Sequence, residues 1–195
     1  MKLGKGLLLA LALTLGVGSA FAQSIDIVGD QAGTTCNGTF MPGTTPLLYI
    51  IARSGPLAPE GITGAEFYVQ GFPAGWLSIV TPNPLAAVAL GSPLATTPPF
   101  RANIAFAVCQ PWDGGGKILL YSITVIPLSI VPETYLQVVV ANPPTNEAYT
   151  TPIVTKCDPP LYTAVPCYGG TFIMNGRPCT VGVENLTWSQ VKALY

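Results

Sequence analysis

The chain has 195 residues, 9% of them charged, with 8 Lys+Arg against 9 Asp+Glu and no histidine. So neutral a balance argues against a basic nucleic-acid surface, and an apolar content of 49% is the opposite of a disordered composition. Without histidine, the Ser-His-Asp and Cys-His mechanisms and histidine-held metals are excluded.

The first residues read as an export leader. Lys2 and Lys5 make a positive start, Leu7 to Leu15 an apolar stretch, and Ala20-Phe21-Ala22 a small-x-small cleavage pattern. The apolar run is shorter than the roughly 20 residues a membrane-spanning helix needs. The expected mature chain starts at Gln23 and keeps 173 residues. Its expected location is periplasm, cell surface or medium. Losing Lys2 and Lys5 leaves six basic residues against nine acids.

After the leader, short apolar and β-branched runs alternate with Pro, Gly and Asn. The expected strands are 24–29, 46–52, 62–70, 76–81, 86–90, 101–109, 117–127, 134–141, 152–156, 161–165, 170–175 and 179–184. Pro82-Asn83-Pro84, Pro98-Pro99, Asp113-Gly114-Gly115-Gly116, Pro143-Pro144 and Pro159-Pro160 mark turns between them, because proline cannot donate to a central ladder. In 101–109, Ile104, Phe106 and Val108 share one face. The strand at 117–127 is apolar on both faces, so it is expected to be central and covered on both sides. This spacing predicts an all-β fold, an antiparallel β-sandwich of Ig-like or jelly-roll type over residues 23–156. Residues 157–195 are expected to form a small C-terminal β appendage and a short terminal helix.

Export makes the five cysteines, Cys36, Cys109, Cys157, Cys167 and Cys179, a disulfide question. Five is odd, so one is left over. Cys36 and Cys109 stand alone in the first two thirds of the chain, and a bridge between them is the single pairing expected. A hairpin turn at Asn175-Gly176 would place Cys179 opposite Phe172. No C-x-x-C pair suggests zinc.

The last residues carry a helix start. Thr187 and Gln190 form a capping box, and Leu186 and Val191 a hydrophobic staple. Trp188, Val191 and Leu194 then share one stripe. Two readings stay open: the stripe packs on its own sandwich, or it is a recognition tag for export or surface attachment.

The acids are scattered, so paired-carboxylate glycoside chemistry has no obvious centre. Asp26 and Asp30 are close in sequence but lack a calcium-loop pattern; a structural calcium is the one cofactor considered. Tyr68, Phe72, Trp76 and Trp112 are the candidate binding aromatics, either as a sugar-stacking face or as a packed corner around Trp76.

Gly61-Ile-Thr-Gly-Ala-Glu-Phe67, Gly71-Phe-Pro-Ala-Gly-Trp76 and Asn103-Ile-Ala-Phe-Ala-Val-Cys-Gln110 resemble segments of a group of uncharacterised secreted bacterial proteins. So do Lys156-Cys157-Asp158, Cys179-Thr-Val-Gly-Val-Glu184 and Thr187-Trp-Ser-Gln-Val-Lys-Ala-Leu-Tyr195. That group brings no activity with it. The strand order also resembles the cohesin-type sandwich at the level of fold. The expected function is a secreted, non-enzymatic β-sandwich for surface display, adhesion or extracellular assembly. A carbohydrate-binding module and a carboxylate enzyme are the alternatives. The expected partners are further copies of the chain, a cell-surface component or a glycan.

Overall fold

A computed structural model describes residues 23–179, which form thirteen strands. The leader, most of the expected strand at 179–184 and the helix with Trp188, Val191 and Leu194 lie outside the described residues. The strands are β1 (Ser24–Val28), β2 (Asn37–Gly38), β3 (Leu47–Arg53), β4 (Ile62–Gln70), β5 (Leu77–Pro82), β6 (Ala86–Gly91) and β7 (Ala102–Gln110). They continue with β8 (Lys117–Ile126), β9 (Thr134–Val139), β10 (Ile153–Lys156), β11 (Ala164–Pro166), β12 (Tyr168–Gly169) and β13 (Thr171–Met174). The two-residue strands β2 and β12 carry no alternating pattern, and the sequence did not mark them.

Two sheets face each other. The first runs β12-β1-β3-β8-β5. In the second, β4 has β7 on one edge, with β6 beyond it, and β9 and β10 on the other. Val139 of β9 opposes Tyr68 and Ile153 of β10 opposes Glu66, so these strands follow one another along the same edge of β4. Residues 140–152 leave and rejoin that line.

The residues after Cys157, expected as an appendage, supply strands to both sheets. β11 pairs with β10 and β13 with β9, while β12 between them pairs in parallel with β1 of the first sheet. The Gly170 N–H donates to the Ile25 carbonyl at 2.9 Å, and the Gly170 carbonyl accepts from the Val138 N–H at 3.0 Å. One stretch of backbone thus bonds both sheets and closes this side of the sandwich. A Cβ on Gly169 would lie 1.8 Å from the Val138 carbonyl oxygen, so the approach requires glycine.

The core lies between the sheets. Phe67 of β4 meets Tyr121 of β8 edge-to-face at 5.9 Å, and both are essentially fully buried. Burying the Phe67 side chain contributes about 1.5–3 kcal/mol. At the end of β4 near Gln70, Phe40 stacks on Trp76 at 6.0 Å and meets Phe172 edge-on at 5.9 Å.

Two expected faces change phase at bulges. β8 is central in its sheet, between β3 and β5. Its core residues are Ile118 and Leu120, then Tyr121, Ile123 and Val125. Ile50 opposes Tyr121 and Ile51 opposes Leu119, so Leu120 is the extra residue of a bulge. The double apolar face therefore reflects a phase switch, with Leu119, Ser122, Thr124 and Ile126 half-buried on the other side. In β7, Ile104 and Phe106 are buried as expected, but the pairing with β4 shifts beyond Ala105 and Val108 turns outward.

The disulfides are Cys36–Cys179 and Cys109–Cys157, which corrects the expected Cys36–Cys109 bridge. Cys36 stands just before β2, where its carbonyl accepts from the Ile173 N–H, so the start of β2 is held beside β13. Asn175 takes a left-handed φ of 53° and donates to the Phe40 and Val131 carbonyls. The chain then leads Cys179 to Cys36, not into a hairpin opposite Phe172. Cys167 is left unpaired and buried.

Candidate docking face

Cross-strand neighbours in a sheet share a face. Across the second sheet, Ala89, Ile104, Ala65 and Val154 are aligned, and the last three point into the core. The rows on either side must therefore point out. One is Leu90–Asn103–Glu66–Ile153, the other Val88–Ala105–Gly64–Thr155. Gly64, Ala105 and Ala107 keep the middle of the face low. Residues 140–152 and 157–164 raise its rim with Tyr149, Pro159 and Tyr162. The result is an open hollow of 840 Å³.

Among the described residues, Glu66 is the one Asp, Glu, Lys or Arg lining this hollow. It is 7% exposed. The Thr145 N–H donates to its Oε1 at 2.7 Å, and the Thr145 hydroxyl donates to Oε2. The Asn103 amide, turned with its nitrogen toward Glu66, donates to Oε2 at 3.0 Å. A buried carboxylate needs such donors. These bonds tie residues 140–152 down against β4, so the acid holds the rim in place. At one end of the hollow, the Cys109–Cys157 bridge fixes the end of β7 to the residue after β10. The exposed apolar side chains of β6 are Val88 and Leu90, the latter 60% exposed.

The aromatic candidates do not form one site. Trp76 is 5% exposed, meets Phe72 edge-on at 6.3 Å, and donates its indole N–H to the Ser129 Oγ at 3.2 Å. This is a packed corner. Trp112 lies near the opposite end of β4, half-buried, with its indole N–H donating to the Ala58 carbonyl at 2.7 Å. Tyr68 points outward on β4, packs against Phe100 at 5.3 Å and donates to the Ala95 carbonyl at 3.0 Å. Asp26 pairs with the Arg53 guanidinium. Asp30 accepts from the backbone N–H and hydroxyl of Thr34. Among the described residues, no three His, Cys, Asp or Glu side chains cluster as a metal site.

In sequence, Glu66 is one scattered acid among others, and no local pattern singles out Asn103, Tyr149 or Tyr162. The one available signal was a lone acid in step with Gly64 and Tyr68, opposite the apolar phase of Ala65, Phe67 and Val69.

No family model and no curated protein sequence matches the chain. Solved structures do. A cohesin module from a Clostridium perfringens family 33 glycoside hydrolase aligns with TM-score 0.54 at 9% identity, over 79% of this chain and 97% of that module. The seventh ScaB type I cohesin of Pseudobacteroides cellulosolvens aligns with TM-score 0.48 at 10% identity, over 85% and 98%. The sixth cohesin of Acetivibrio cellulolyticus scaffoldin B, solved in complex with a Cel5 dockerin, gives TM-score 0.47 at 15% identity, over 80% and 99%. With the strand order and the Clostridium perfringens alignment taken together, the chain has a β-sandwich fold of the cohesin type.

Proposed function

We propose that this chain is an exported, non-catalytic docking module that binds a protein partner on the outer face of the second sheet, in extracellular assembly or surface display. The observation that carries this reading is the pair of outward rows across β6, β7, β4 and β10. Small central residues, exposed apolar edges and one internally satisfied acid make a face that loses little by drying. Exposed apolar surface of this kind marks interaction sites. The Leu90 and Val88 edge would supply the apolar anchor and the hollow its complement. The first sheet also exposes Leu77, Leu47 and Ile79, but the last two lie across the polar Thr124.

The test compares Leu90→Glu and Ala105→Glu with Ile79→Glu on the other sheet, using the secreted proteins of the producing organism as the source of partner. The two second-sheet variants should keep their melting temperature and lose at least tenfold in affinity, about 1.4 kcal/mol. Ile79→Glu should bind as wild type. Equal binding by all three variants would reject the face.

A further inference from the structure

Gln23 follows the expected cleavage point and enters β1 at the seam where the sheets are joined. It is 3% exposed. Its carbonyl accepts from the Tyr168 N–H at 2.9 Å. Gly55 packs so closely that a Cβ there would stand 2.6 Å from both the nitrogen and the Cβ of Gln23. Among the described residues, neither Nε2 nor Oε1 of the Gln23 amide has a nitrogen or oxygen hydrogen-bond partner. Beside it stands the buried Cys167 thiol, whose sulfur is only a weak acceptor for Nε2.

An unpaired buried polar group costs about 1–3 kcal/mol. Cleavage after Ala22 would create a second liability at the same place, a charged α-ammonium, whose charged form burial disfavours. One reaction removes the charge and the unpaired amide nitrogen together, and keeps only the carbonyl oxygen.

We propose that Gln23, once it is the N-terminal residue, cyclises to pyroglutamate, and that the seam is built to hold this neutral end; the proposal rests on the export reading above. The α-amine nitrogen attacks the side-chain carbonyl carbon, forming the C–N bond of a lactam. The bond from that carbon to Nε2 breaks. Nε2 leaves as ammonia, carrying the proton the amine gives up. No oxidant, reductant or co-reactant is required. The product has no N-terminal charge, and the two unpaired donors of the amide nitrogen are gone.

The first experiment takes protein made with its own leader in a bacterial host and recovered outside the cytoplasm. Intact mass and N-terminal degradation should show residues 23–195 lighter by one ammonia and blocked to degradation. Pyroglutamyl aminopeptidase should unblock the chain after unfolding. A chain that starts at Gln23 with a free amine overturns cyclisation and leaves export standing. A chain that starts elsewhere overturns the cleavage reading, and the proposal with it.

The second experiment compares that protein with residues 23–195 freshly released from a cleavable tag, before ring closure. Burial at the seam would hold the folded amine below its ordinary value of about 7.7–8.0, so the unfolded chain would take up a proton first as pH falls. The open form should therefore melt progressively lower than the cyclised form from about pH 9 down to about pH 6. No histidine titrates in that window. Identical melting of the two forms across it would overturn the claim that the seam favours the lactam.

Discussion

Cys109, in β7, and Cys157, the residue after β10, are bonded to each other at the start of β4, which those two strands flank. Gln110 and Lys156 both oppose Ile62, so each cysteine sits next to a residue paired with the same position. The bridge encloses 48 residues of sequence separation, and Cys36–Cys179 encloses 143. By loop entropy these crosslinks are worth about 4 and about 5 kcal/mol. Cys109→Ser/Cys157→Ser and Cys36→Ser/Cys179→Ser should each lower the denaturation midpoint, the second pair more. Midpoints unchanged within error would show that the loops stay closed without them.

Cys167 should be chemically silent in the folded protein. Burial pushes its thiol up to about 12, against small opposing effects from hydrogen bonds near Val154 and Gln23. Thiolate is the reactive form. Alkylation at about pH 8 should label no thiol in the native protein and one in denaturant, with mass spectrometry placing the label on Cys167. Rapid native labelling would mean that the seam opens.

Gly169→Ala should be among the most damaging single methyl additions. The new Cβ would meet backbone rather than a flexible side chain, and the Val138 carbonyl cannot move without disturbing both sheets. Overpacking typically costs about 1–3 kcal/mol. Gly114→Ala, which adds a Cβ with nothing within 4 Å, is the control and should be near neutral. Equal stability of the two variants, by chemical denaturation, would remove the seam's claim to tight packing.

Asp30 sets an acid limit on stability. Burial alone would raise its carboxyl, but hydrogen bonds from Thr35 and Thr34 outweigh it and lower the value from 3.8 to about 2. A depressed carboxylate contributes stability above its unfolded value, and that contribution is lost as pH falls through the folded value. Wild type should therefore lose its advantage over Asp30→Asn between about pH 4 and about pH 2, with the full difference above pH 5. A difference independent of pH would assign the loss to packing instead of charge.

The limits of β4 were readable from sequence, and those of most other long strands to within a residue or two. Pro and Gly punctuate the chain, and Ala65, Phe67 and Val69 alternate cleanly against Gly64, Glu66 and Tyr68. Trp76 as a packed corner was readable for the same reason: Phe72-Pro-Ala-Gly-Trp76 places its aromatics around a turn. The two bulges were not. Leu120 adds one residue to a run that is apolar throughout, and composition does not reveal which residue is extra. The candidate face was hidden because Gly64, Ala105 and Thr155 are unremarkable separately. They become a surface only through the registers that align them.

Local chemistry alone determined the class of structure. The period of two along the longer strands and the Pro and Gly punctuation between them point to a β-sandwich whatever the pairing. Strand order, the two disulfides and the shared backbone at Gly170 were decided only by tertiary structure. Each depends on contacts between residues tens to more than a hundred positions apart, and no short-range preference encodes which distant partner a strand edge or a thiol will meet.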